Sequence, residues 1–139
     1  MRVVRLADYA RNISNLIAST NDTGSKMGKH FTPLKKAISN QNFESIDLKS
    51  TKNEFQNGTD VYKKNLKHLQ TMRVPARVLG KHKMMIDDYQ KYVSACQQMV
   101  DSINLDDSKV DQKLFNQSEK DQDRSIVDFV KYAQKIMMG

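Results

Sequence analysis

Val78, His82, Met85, Tyr89, Tyr92, Cys96, Met99 and Ile103 follow one another by steps of four and three. A helix turns about 100° per residue, so this spacing keeps all eight side chains on one face. Leu79, Ile86, Val93 and Val100 widen the stripe. A face this broad suits a helix packed among several others, not a two-stranded coil. The chain must therefore supply further amphipathic helices to cover it.

It does. Leu6, Ala10, Ile13, Ile17, Thr20, Gly24, Met27, Phe31, Leu34 and Ile38 keep the same rhythm, and no charge falls on that track. The spacing predicts one long helix over about 3–40, with Asn40 or Asn42 in the C-terminal cap region. The stretch "TNDTGSKMGKHFTP" interrupts it with Gly24, Gly28 and Pro33. Proline removes a helical hydrogen bond and kinks the chain. Two alternatives follow: a continuous, kinked helix, or a break within 20–33 with Thr32 as N-cap and Pro33 at the first helical position. The unbroken register favours the first.

A second helix is expected over 47–73, on Leu48, Phe55, Tyr62, Leu66 and Leu69, locally weak at Gly58-Thr59 and stopped by Val74-Pro75. The third covers 76–104. The segment "NLDDSKVD" then offers Asp106, Asp107 or Ser108 as N-cap for a fourth helix over 108–137. That helix carries Val110, Phe115, Glu119, Gln122, Ile126, Phe129, Ala133 and Ile136. Its middle, 116–125, has no apolar residue; a continuous helix is still expected there. The fold class is all-α: an elongated antiparallel up-down four-helix bundle, one domain over 1–139. Each helix is ~40–55 Å long at 1.5 Å per residue. Five glycines and two prolines are too few for an all-β chain of this length.

Cys96 is the only cysteine, so no intramolecular disulfide forms. Arg5, Asp8 and Arg11 interrupt the N-terminal apolar residues, so no cleavable signal peptide is expected. No apolar run approaches the ~20 residues of a membrane span. The expected location is cytoplasmic, or exported without a cleaved leader. Asn-x-Ser/Thr triplets at Asn12, Asn21, Asn57 and Asn116 are read as an Asn- and Ser-rich surface.

Candidate chemistry is sparse. A phosphate-binding loop needs four residues between its glycines and a hydroxyl after the lysine. Gly24 and Gly28 enclose three, and His30 follows Lys29. His68 and His82 each stand seven residues from Pro75, so a hairpin would bring them level, but two ligands are too few for zinc. His82 is expected on the packed face and His68 at its edge. Cys96 lies mid-stripe and reads as a buried structural thiol. The pairs Asp87-Asp88 and Asp106-Asp107 diverge by about 100° on a helix and form no acid/base couple. The methionines read as core filler. No catalytic, cofactor-binding or metal-ligating residue is expected, so the chain reads as a non-enzyme without a cofactor.

Charge has a spatial logic. The net charge is +7; residues 1–105 hold 17 basic and 9 acidic residues, residues 106–139 hold 6 and 7. The turn between the second and third helices gathers Lys63, Lys64, Lys67, Arg73, Arg77, Lys81 and Lys83. Arg2, Arg5, Arg11, Lys131 and Lys135 should reach the same end, while Glu44, Asp47, Asp106, Asp107 and Asp111 collect at the other. These seven residues are the candidate site for an anionic partner. The partner expected is another protein. Nucleic acid or an anionic surface is the alternative, without sequence-specific reading because no aromatic platform is interleaved. A partly exposed stripe would also permit self-association.

Chain length and the long helical hairpin about "MRVPARVLG" resemble the small helical proteins of type VII secretion systems. That turn has no Trp-x-Gly, and "YAQKIMMG" has no acidic residue four places after Tyr132. The resemblance is one of architecture and implies an adaptor, targeting partner or small secreted protein.

Overall fold

The computed structural model describes residues 4–138. Four helices carry the fold: α1 (Leu6–Asn40), α2 (Leu48–Thr71), α3 (Leu79–Asp101) and α4 (Gln112–Met137). They form the expected antiparallel bundle, in which α3 lies between α2 and α4 and α1 packs mainly on α2. The expected start of the first helix at residue 3, and Arg2, lie outside the described residues.

The helix α1 is unbroken through Gly24, Gly28 and Pro33. Pro33 sits on the solvent side. Its buried stripe is Tyr9, Ile13, Leu16, Thr20, then Leu34 and Ala37. That is one position away from the expected Ala10 and Ile17, which are half-buried, as is Leu6. The charge-free track and its neighbour are both apolar here; the larger Tyr9 takes the interior over Ala10, and Leu16 is buried in place of Ile17, its equal in size. The last helical residue is Asn40, the C-cap is Gln41, and Asn42 follows it in the cap region, as expected. Gln41 adopts φ 51°, ψ 36°, and Asn42 N–H reaches back to the Ala37 carbonyl at 3.0 Å, a left-handed C-terminal cap on a residue other than glycine.

The helix α2 starts on Asp47, whose carboxylate accepts from Ser50 N–H at 3.0 Å. Such a cap is worth ~1 kcal/mol. The expected weakness at Gly58-Thr59 is a packing point instead, with both residues buried. A Cβ on Gly58 would collide with the Met27 side chain of α1. The seam position of Gly24 also suits close helix approach, but that role falls to Gly58; a Cβ on Gly24 would only touch the Tyr62 hydroxyl at an ordinary 3.5 Å.

Two further boundaries differ from expectation. The third helix stops at Asp101, and the next begins at Gln112 with Asp111 as N-cap, its carboxylate accepting from Leu114 N–H at 3.1 Å. Asp106, Asp107 and Ser108 belong to a small hairpin in which β1 (Ile103–Asn104) pairs antiparallel with β2 (Lys109–Val110). Asn104 Oδ1 accepts from Asp106 and Asp107 N–H at 3.0 and 3.3 Å, and Ser108 takes φ 51°. A side chain that bonds the backbone two residues on favours a turn over a helix start.

The polar middle of α4 is continuous helix, as expected. Ser118 and Ser125 turn inward, fully buried, and bond the Phe115 and Asp121 carbonyls of their own helix at 2.7 and 2.6 Å. Small satisfied side chains let α3 and α4 pack closely.

Two apolar clusters make the core. One, toward the α2–α3 turn, joins Tyr9, Ile13, Tyr62, Tyr89, Phe129 and Ile136; the other, at the far end, joins Leu34, Phe55, Met99, Ile103 and Phe115. At ~1.5–3 kcal/mol per fully buried large side chain, these clusters are the main source of stability.

Candidate anion-binding surface at the hairpin end

After α2 the chain runs extended through Pro75 and makes one 3-10 turn, Ala76–Val78, before α3. A buried hydrogen-bond chain pins this end. His82 Nε2 lies 2.7 Å from the Leu69 carbonyl, and Nδ1 lies 2.7 Å from the Tyr9 hydroxyl. A carbonyl only accepts, so Nε2 carries the proton and Nδ1 accepts from the phenol. Burial lowers the His82 pKa from 6.5 and raises that of Tyr9 to about 12. Both nitrogens of His82 are engaged within the fold, as a packed-face histidine requires, and His68 is exposed.

All seven expected anion-binding residues are exposed. They do not form one patch. Lys63 and Lys64 lie on the shaft of α2, about 10–12 Å before its end by helical rise. Lys63 Nζ donates to Gln97 Oε1 at 2.9 Å and stands 3.9 Å from Asp60. Lys81 and Lys83 leave α3 about 200° apart. Lys83 is within about 40° of Gln97, the residue that bonds Gln56 of α2; Lys81 points to the α4 side. Lys64, Lys67, Arg73, Arg77, Lys81 and Lys83 form no ion pair among the described residues.

The sequence places Arg5 at this end but does not show its neighbours. A groove of about 670 Å³ between the start of α1 and the end of α2 brings Arg5 together with Arg73, His68, Asn12 and Thr71. Asp8 is its single carboxylate among the described residues. The half of the bundle nearest the hairpin (4–22, 60–90, 125–138) holds eleven basic and six acidic residues; the other half (23–59, 91–124) holds eleven and ten. At the far end Asp47 and Asp111 serve as caps and Asp107 bonds Asn104. The positive excess is therefore concentrated where carboxylates are fewest.

Other titratable groups are structural in setting. Burial pushes the Cys96 thiol up to about 12. Asp88 is buried, with Oδ2 lacking a hydrogen-bond partner, and burial, with Asp128 nearby, raises its pKa. Among the described residues no group of three or more His, Cys, Asp or Glu is placed to hold a metal ion, and no helix is long and apolar enough to cross a membrane. No protein-family model, curated protein or solved structure matches this chain.

Proposed function

We propose that this chain is a non-catalytic helical-bundle interaction protein, an adaptor or targeting partner, that docks an acidic region of another protein against its hairpin end. The observation that supports this reading is the set of cations there, Lys63 apart, that form no ion pair among the described residues, flanking a groove that holds Arg5 and Arg73. Arginine forks bind carboxylates in pairs of hydrogen bonds, and an acidic partner would supply the counter-charge the fold lacks. A second reading, electrostatic binding of nucleic acid or another anionic surface, is favoured by the same arginine pair, which suits phosphate as well. The proposal holds for a cytoplasmic protein or one exported in the manner of type VII substrates.

The test is crosslinking and capture from the native host, with the unaltered chain and with Arg73→Glu/Arg77→Glu/Lys81→Glu/Lys83→Glu. An acidic protein captured by the first and lost by the second is the expected result. Nuclease-sensitive capture would favour the second reading, and equal capture by both chains would overturn the surface.

A further inference from the structure

Between Thr20 and Leu34 no α1 side chain is fully buried. This is the level at which the core divides into its two clusters; α1 packs mainly on α2 and touches α4 little along its length. A cavity of about 250 Å³ opens there. Its floor is Tyr92, Cys96 and Met99 of α3, and Met27, Phe31 and Phe55 wall it.

Both glycines of "TNDTGSKMGKHFTP" line this cavity. Neither is needed for close helix packing: a Cβ on Gly28 would meet nothing within 4 Å, and one on Gly24 only an ordinary contact. Glycine is the poorest helix former after proline. Two of them, one turn apart, keep side chains out of the mouth of a largely apolar cavity.

The α4 edge is polar. Glu119 is already held by Lys35, whose Nζ donates to both carboxylate oxygens at 3.0 and 2.7 Å. Asp123 lines the mouth, exposed and without an ion pair among the described residues. Gln122 Nε2 donates only to the Met99 sulfur, at 3.6 Å, a weak acceptor. An apolar, aromatic- and thioether-lined chamber with a carboxylate at its lip suits a flat apolar body bearing a positive nitrogen. A cavity of roughly 150 Å³ takes benzene, so this one has room for two fused rings.

We propose that the cavity between α1 and α4 at Gly28 is a binding site for a small aromatic amine, its ring against Met27, Phe31 and Met99 and its ammonium at Asp123. The site is separate from the hairpin surface and stands or falls without it.

The probe is 1-naphthylmethylamine, titrated into the whole chain with methyl-labelled methionine and followed by NMR, beside 1-naphthylacetate. Saturable shifts are expected at the Met27 and Met99 methyls, with Met84 and Met138, both exposed, unmoved. The amine should bind more tightly than the acid, and Asp123→Asn should remove that preference. Gly28→Leu, which fills open space, should weaken binding by about tenfold or more with helicity unchanged. Should that variant misfold, the methyl map on the unaltered chain decides alone. No saturation, shifts confined to Met84 or Met138, undiminished binding by folded Gly28→Leu, or tighter binding of the acid would each overturn the proposal.

Discussion

Tyr9 and His82, 73 positions apart in sequence, are joined by a buried 2.7 Å hydrogen bond, and the other imidazole nitrogen donates to Leu69. One histidine thereby ties α1, α2 and α3 together where the basic residues emerge. Neutral imidazole is required. Burial lowers the folded pKa below 6.5, so the unfolded chain takes up this proton first as pH falls. The contribution is complete above about pH 6.5 and is lost progressively below it, by at most ~1.4 kcal/mol per pH unit. Denaturant melts from pH 8 to 5 should show this slope, and His82→Gln should flatten it. Tyr9→Phe should cost ~1–3 kcal/mol at pH 7, because Nδ1 loses its donor.

Asp88 runs the opposite way. Its folded pKa is raised above 3.8, so its charge opposes folding at neutral pH and the penalty is relieved as pH falls through the folded pKa. Asp88→Asn is expected to stabilise by ~1 kcal/mol at pH 7, with the gain shrinking as pH falls toward 3.8 in denaturant melts extended below pH 4.

Gly28 and Gly58 separate two uses of one residue type. Gly28→Ala should raise stability by ~0.5–1 kcal/mol, since helix propensity improves and nothing is displaced. Gly58→Ala drives a Cβ into Met27 and should fall below Gly28→Ala by ~1 kcal/mol or more. Paired urea denaturation curves measure the difference.

Cys96 should be inert while the chain is folded. Its pKa of about 12 against an ordinary 9.0 leaves roughly a thousandfold less thiolate at pH 8. Iodoacetamide should modify it slowly in buffer and fast in denaturant, as mass spectrometry would read directly.

The sequence is legible where one answer satisfies the pattern. On the α3 segment every residue of the four-and-three track, from Val78 to Ile103, is buried. On α1 two adjacent apolar tracks compete; size favours Tyr9 over Ala10, and Leu16 and Ile17, equal in size, are told apart only by the fold. Ser118 and Ser125 are hidden by their chemistry: a polar residue becomes interior once its hydroxyl bonds its own helix. The two-residue strands are too short for any alternation, and the Asn104 turn displaces the expected cap. Glycine is the least legible of all, because Gly24, Gly28 and Gly58 differ only in what the neighbouring helix presents. The positive excess at the hairpin end comes from fewer acidic residues there and not from more basic ones; helical angle scatters the expected cations, and only the folded chain joins Arg5 to Arg73 and His68.

The central claim is that the hairpin end binds an acidic partner through charge. The most direct measurement is the affinity of the whole chain for poly-glutamate across a salt series. The account predicts saturable binding that weakens about tenfold or more between ~50 and ~200 mM salt, and its loss in Arg73→Glu/Arg77→Glu/Lys81→Glu/Lys83→Glu with unchanged helicity. Absent or salt-independent binding, or undiminished binding by that folded variant, would contradict it.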